Sequence, residues 1–235
     1  MDPYARIADW YDLLLNPVLD GVRRAVADVC RAEGLRRVLD ACCGTGRQCA
    51  VLRGAGVACV GADLSPAMLR AARTATRVTR PCEAGSGGAA GPCAEAHGGC
   101  APPASSARLA LLRADARGLP FADNAFDAVV LSLALHEMSE STGNAALAEA
   151  LRVAPRVLLA DYRLAERNLD LPAALFVHLP ERLAGGEHYL NFRGFMARGG
   201  VEGLAQRAGL AVIRRERLFG GAGALLLAER DRRKG

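Results

Sequence analysis

Residues Arg37 to Leu52 leave this chain little choice of fold. The apolar run Arg37-Val38-Leu39 ends in the carboxylate of Asp40, a loop of small residues follows (Ala41-Cys42-Cys43-Gly44-Thr45-Gly46), and a helical pattern starts at Arg47. Strand, tight turn and helix together present unpaired backbone N–H groups to a polar ligand. Gly44 and Gly46 remove side chains where a ligand must approach the backbone. A second apolar run, Val57-Ala58-Cys59-Val60-Gly61-Ala62, ends in Asp63, about 17 positions after Gly46. That is close to the spacing at which an acidic residue accepts from a ribose. The unit therefore predicts the first βαβ crossover of an open sheet with a nucleotide-type ligand at its crevice. Asp63 has a second reading as a capping acid for the helix that Ser65 and Pro66 start.

Charge narrows the ligand. The dinucleotide fingerprint G-x-G-x-x-G is incomplete: counting from Gly44 places Cys49 at the third glycine, and counting from Cys42 ends on Arg47. A carboxylate at Asp40 would repel a diphosphate. S-adenosylmethionine (SAM) carries an ammonium and a sulfonium and no phosphate, so Asp40 favours it over a nicotinamide dinucleotide.

The chain resembles the class I SAM-dependent methyltransferases. Val38-Leu39-Asp40-Ala41-Cys42-Cys43-Gly44-Thr45-Gly46 is similar to their first motif, and Gly61-Ala62-Asp63-Leu64-Ser65-Pro66-Ala67-Met68-Leu69 to their second. Residues 113–130, with Asp115-Ala116 and Leu119-Pro120-Phe121, are similar to the third and fourth. The likeness covers residues 36–74 and 109–165 and resumes at the C-terminus. It implies that Asp40 holds the methionine amino group and that Gly44, Thr45 and Gly46 pack on the methionine and ribose. It implies further that Asp63 accepts both ribose hydroxyls and that Leu64 and Met68 flank the adenine. Asp115 would accept from the adenine amino group, with the Ala116 N–H donating to a ring nitrogen, and Leu131 and Ser132 would end the fourth strand beneath the sulfonium. Cys42 stands where the family usually has Gly; it is small enough for the loop, but a positive φ there would strain it. Asp115 on its own also reads as an ordinary loop acid.

Composition fits one domain of 235 residues with 51% hydrophobic and 23% charged residues. No apolar run approaches the roughly 18 residues that span a bilayer. Met1-Asp2-Pro3-Tyr4 lacks the features of a signal peptide, so a cytoplasmic protein with reduced thiols is expected. The net charge of +5 comes from scattered Arg, without a basic stripe that would recruit nucleic acid. Of eight cysteines, Cys42, Cys43, Cys49 and Cys59 fall at core positions, where Cys acts as a small hydrophobe. Residues 77–107 read as a flexible Gly/Ala/Pro/Cys insertion, because residues 81–107 hold no Leu, Ile, Val or Phe. Cys82, Cys93, Cys100 and His97 lie there, but Cys93-x₃-His97-x₂-Cys100 is not a standard zinc spacing, and no metal site is assigned.

The element pattern predicts a doubly wound Rossmann-like α/β fold. Helix 17–33 precedes strand 37–40. Helix 47–54, strand 58–63 and helix 66–76 follow, then strands 108–113 and 126–133. Helix 144–154, strand 156–162 and helix 200–208 precede the final strands 211–218 and 224–229. The last two strands are joined by five residues, too few for a parallel crossover, so they must pair antiparallel. The resemblance completes this as a seven-stranded sheet, mostly parallel with one antiparallel strand. Residues 1–34 form an N-terminal helical segment, and 166–199 a helical lid over the strand ends or, alternatively, ordinary core helices.

The opening Tyr4-Ala5-Arg6-Ile7-Ala8, Tyr11-Asp12, the lid with Tyr189, and the ending Leu218-Phe219-Gly220-Gly221-Ala222-Gly223 are similar to the ubiquinone/menaquinone-biosynthesis C-methyltransferases. The lid wording and the Cys-bearing insertion depart from that family. The resemblance implies C-methylation of a quinol or naphthol ring, a small and lipid-soluble acceptor, by an enzyme with at most peripheral membrane contact. His136, Asp161, His188 and Tyr189 are the candidates to remove a ring hydroxyl proton; each also has a structural reading. Other acceptors, including arsenite, a nicotinamide oxidoreductase and a non-catalytic SAM-binding or metal-sensing module remain alternatives. Oligomeric state is not legible.

Overall fold

The computed structural model describes residues 8–78, 109–164 and 186–231. The first helix, α1 (Ala8–Ala32), leads into β1 (Arg37–Ala41). Then come α2 (Arg47–Gly54), β2 (Ala58–Asp63), α3 (Pro66–Val78) and β3 (Ala110–Arg113). β4 (Ala128–Ser132) ends in a single 3₁₀ turn, Leu135–Glu137. α4 (Glu140–Val153), β5 (Arg156–Tyr162), α5 (Gly186–Ala197), α6 (Gly200–Arg207), β6 (Leu210–Leu218) and β7 (Gly223–Arg230) complete it. The sheet order is β3-β2-β1-β4-β5-β7-β6. β7 runs antiparallel to both β5 and β6, and the other pairs are parallel. The seven-stranded sheet with its antiparallel hairpin is the architecture expected from the sequence.

Alternation along the strands sorts the core into two layers. Val38, Val130, Leu158 and Leu227 face α1, α2 and α3, packing with Val26, Val29 and Leu52. Leu39, Val129, Leu131, Leu159 and Leu226 face the other way, against Leu147 of α4, Phe192 of α5 and Val201 of α6. Residues 128–131 of β4 are fully buried, as a central strand covered on both faces requires. The edge strand β6 instead carries Arg214, Arg215, Glu216 and Arg217 and a bulge between Val212 and Arg214, features that discourage edge-to-edge pairing.

Several boundaries differ from the sequence reading, β4 for one starting at Ala128 rather than at 126. α1 begins at Ala8 and continues through Pro17 rather than starting there, forgoing one backbone hydrogen bond. α4 begins at Glu140, because Ser139 caps it: the Ser139 hydroxyl accepts from the Thr142 N–H at 3.2 Å. β3 is shorter than expected, starting at Ala110. Gly209 (φ +64) stops α6 as anticipated, its N–H donating to Gln206 O at 3.1 Å. Ser65 caps α3 as expected, its hydroxyl accepting from the Met68 N–H at 3.2 Å. The first part of the expected lid and most of the insertion, including Cys82, Cys93, His97 and Cys100, lie outside the described residues.

Candidate cofactor site

The sheet order reverses direction between β1 and β4, and ligands of open α/β sheets bind outside the strand ends at such a point. A cavity of ≈ 690 Å³ lies there. Asp40, Cys42, Cys43, Gly44 and Thr45 line it after β1, Asp63 to Pro66 and Met68 after β2, and Ser132 to Ala134 after β4.

The loop is built by backbone bonds. Gly44 sits at φ +52 and Gly46 at φ +73, and the Gly46 N–H donates to Cys43 O at 2.9 Å. Asp63 fixes the loop against β2: its Oδ2 accepts from the Gly44 N–H at 2.7 Å and its Oδ1 from the Ser65 N–H at 2.8 Å. A carboxylate offers about four lone-pair sites, so holding the loop does not exhaust what Asp63 can accept. Cys42 does adopt the positive φ that the sequence flagged, at φ +65, a conformation that costs a non-glycine residue about 1–2 kcal/mol. Leu133, the residue after β4, is also left-handed at φ +51. Both line the cavity, and strain of this kind concentrates at functional sites.

The cavity wall at β1 and α2 has acceptors in need of donors. Asp40 is buried, and burial pushes its carboxyl up to about 7 against an opposing hydrogen bond from Cys49 Sγ at 3.4 Å. Gln48 is buried too; its Nε2 donates to Arg23 O at 3.2 Å, and its Oε1 has no hydrogen-bond partner among the described residues. Both side chains line the cavity. An unpaired buried acceptor costs about 1–3 kcal/mol, and a ligand ammonium would relieve it. Burial raises the thiol of Cys42, and hydrogen bonding to Cys49 together with burial raises that of Cys43. These thiols stay protonated, in keeping with their reading as small apolar residues.

Of the residues expected around the adenine, Leu64 is exposed and Met68 buried, and both line the cavity. Asp115 and Ala116 are not among the lining residues. The Asp115 carboxylate is held by Arg117, through its N–H at 2.9 Å and its guanidinium at 2.7–3.1 Å. Ser132 reaches the cavity, whereas Leu131 is wholly buried behind it. Gly46 serves as the start of α2.

Beyond Ser132 the wall passes through Glu137 and Met138 to an aromatic group. His136 and Asp161 are buried. His136 Nδ1 lies 2.8 Å from Asp161 Oδ1, and Asp161 also accepts from the N–H groups of Leu135, His136 and Tyr162. The His136 ring meets Tyr162 edge-on at 4.7 Å, His188 at 5.8 Å and Phe192 at 6.2 Å. Tyr189 stacks on Phe192, with Arg193 6.0 Å from its ring centre. His136, Asp161, His188 and Tyr189, scattered over more than fifty positions of sequence, are thus grouped. α5 is tied to this corner by Asn191 Nδ2, which donates to Glu137 O at 2.9 Å.

Several lining residues escaped the sequence reading. Arg23 shares a face of α1 with Leu19 and Val22, the i, i+3, i+4 spacing that places side chains together, and all three line the cavity. Gln48 and Glu137 line it as well. The helical spacing was visible for Arg23; nothing local indicates that this face of α1 meets the glycine loop.

The fold is that of a class I methyltransferase. Residues 39–158 match the family described as "Methyltransferase domain", and the chain belongs to that family. The domain is SAM-dependent, and S-adenosyl-L-methionine is its cofactor; membership sets aside the nicotinamide oxidoreductase alternative. A demethylmenaquinone methyltransferase of Thermus thermophilus is 32% identical over 143 residues, which are 58% of this chain and 53% of that protein. The chain thus spans about half the length of the curated relative it matches. Among solved structures, an O-methyltransferase family protein from Burkholderia thailandensis superposes with TM-score 0.63 at 16% identity, covering 96% of this chain and 60% of that one. The magnesium protoporphyrin IX methyltransferase from Synechocystis PCC 6803, solved with bound S-adenosylhomocysteine (SAH), gives TM-score 0.59 at 16% identity, over 90% and 83% of the two chains. These two likenesses are of fold. No helix among the described residues is long and apolar enough to cross a membrane.

Proposed function

We propose that this chain methylates a ring carbon of a small hydroxylated aromatic acceptor of the quinol or naphthol type, taking the methyl group from SAM. One observation carries the reading: the cavity wall after β4, at Ser132, Leu133 and Ala134, leads through Glu137 and Met138 to the aromatic group of His136, Tyr162, Phe192 and Tyr189. Edge-on aromatic contacts of this kind suit a planar ring. The partial likeness to a demethylmenaquinone methyltransferase points the same way. Bound SAM supplies an electrophilic methyl on its sulfonium. The chain's own part is alignment, which can contribute about 7–11 kcal/mol, and activation of the ring. His136, oriented by Asp161, engages the acceptor hydroxyl and draws off its proton; Tyr189 and His188 border the ring. The test is to supply methyl-labelled SAM and a reduced naphthoquinone with one free ring carbon to the purified protein. Label on that carbon is expected. Label on oxygen, or transfer only to water-soluble compounds of an extract, would discard the ring-carbon assignment.

At the other end, Asp40 and Gln48 Oε1 are assigned to the methionine ammonium. This has a pH signature. A carboxyl whose folded pKa is raised from 3.8 to about 7 costs the free protein stability as pH climbs through that window. An ammonium beside it restores the carboxylate, so binding below pH 7 must release a proton. SAH affinity is therefore expected to rise by up to about tenfold per pH unit toward pH 7 and then level off. Calorimetry across that range checks it, with Asp40→Asn flattening the slope; a flat wild-type profile would remove Asp40 from ammonium binding.

A further inference from the structure

We propose that His136, Glu137 and His188 form a binding site for one divalent transition-metal cation of the zinc class, at the border of the cofactor cavity where the acceptor hydroxyl arrives. The inference rests on the acceptor reading above for its role, but not for its existence. One ligand atom from each of the three side chains lies within 4.8 Å of the others, and His136 Nε2 is 3.9 Å from a Glu137 carboxylate oxygen. Ligands about 2.0–2.1 Å from a tetrahedral ion stand roughly 3.3 Å apart. Closing the gap takes up to about 1.5 Å of movement by Glu137 and His188, both less buried than His136.

The tautomer is right for it. Asp161 is completely buried, and three backbone N–H groups hold its carboxylate beside His136 Nδ1. A hydrogen bond from Nδ1–H to that carboxylate at 2.8 Å leaves the imidazole lone pair on Nε2, the atom on the Glu137 side. A carboxylate behind a histidine is the usual second shell of a metal ligand, fixing its ring and raising its basicity. Two imidazoles and one carboxylate suit zinc and its neighbours rather than magnesium or calcium, which take oxygen ligands. Three protein ligands leave a fourth position open. Glu137 lines the cofactor cavity, so that position adjoins the space for the acceptor; with Nε2 of His136 engaged as a ligand, the cation takes over from that nitrogen the activation of the hydroxyl, which would ionise more readily there and give its proton to solvent. The cation would also cross-link the turn after β4 to α5, which carries His188.

The experiment titrates Zn²⁺ into chelator-stripped, untagged full-length protein by calorimetry and repeats it with Co²⁺ for its absorption spectrum. One ion per chain with micromolar or tighter affinity is expected. Cobalt spectra should lack thiolate charge-transfer bands. His188→Ala should weaken binding by roughly 100-fold, and Asp161→Asn by about 10–100-fold. No stoichiometric ion, unchanged affinity in His188→Ala, or cobalt bands from cysteine ligands alone would overturn the site. If buried His136 does not tolerate change, His188→Ala still decides the question. Methyl transfer is measured in parallel. Zinc bound by these residues without any ring methylation would keep the site and sink the acceptor reading. Ring methylation at full rate in zinc-free protein would sink the cation's role while keeping the methyltransferase.

Discussion

Replacing Asp63 by Ala is expected to weaken SAM and SAH binding by at least about 10²-fold. The residue does two things at once. Its carboxylate accepts from the N–H groups of Gly44 and Ser65, which shapes the glycine loop before any ligand arrives, and it ends β2 at the cavity wall. The proposed ribose contacts are charge-assisted hydrogen bonds, each worth about 1.5–3 kcal/mol. Losing two of them alone corresponds to roughly 10²-fold or more in affinity, and the loop loses its anchor as well. Asp63→Asn keeps one acceptor oxygen and should fall between the wild type and Asp63→Ala. Equilibrium dialysis with labelled SAM measures this, and urea unfolding of each variant separates lost binding from lost folding. Wild-type affinity in a folded Asp63→Ala protein would remove the residue from cofactor recognition.

The second large effect is on turnover. His136→Ala should lower the rate of methyl transfer by roughly 10²-fold or more, the scale of a lost acid–base group, while SAM affinity stays within a few-fold. The separation follows from geometry: His136 is packed among Tyr162, His188 and Phe192, and it is not among the residues that line the cofactor cavity. Because the ring is buried, His136→Gln is the companion variant, retaining bulk and a hydrogen bond. Asp161, whose oxygens are engaged by His136 and three backbone N–H groups, acts through His136. Asp161→Asn should therefore lower kcat and leave KM for SAM in place. The loss at His136 is expected whether it meets the acceptor hydroxyl directly or through the proposed cation, and the zinc titration distinguishes the two. Unchanged turnover in His136→Ala would exclude it from the chemistry.

Much of the cavity wall after β1 and β2 was legible in the chain because it is local. Asp40, Gly44 and Asp63 sit at strand ends whose positions follow from apolar runs, and Ser65-Pro66 marks the start of α3 by capping chemistry. Even the strain at Cys42 could be anticipated from the absence of a glycine. The hairpin of β6 and β7 followed from the length of its connection. What escaped was set by contacts distant in sequence. Gln48 is an ordinary helical residue until α1 covers it and leaves its Oε1 without a partner among the described residues, and Arg23 reaches the cavity only because of how α1 lies. Glu137 looked unexceptional beside His136 until α5 brought His188 within reach. The start of α1 was misplaced because Pro17 resembles a first helical residue and the structure instead carries the helix through it. At Asp115 the sequence pattern could not show that Arg117 occupies the carboxylate.

The central claim is that the cavity at the ends of β1, β2 and β4 is a SAM site. The most direct measurement is calorimetric titration of the purified protein with SAH and, side by side, with NADH. SAH is expected to bind one per chain, with an affinity that Asp63→Ala removes, and NADH to give no binding heat. Binding of NADH without SAH, or SAH binding untouched by Asp63→Ala, would contradict the claim.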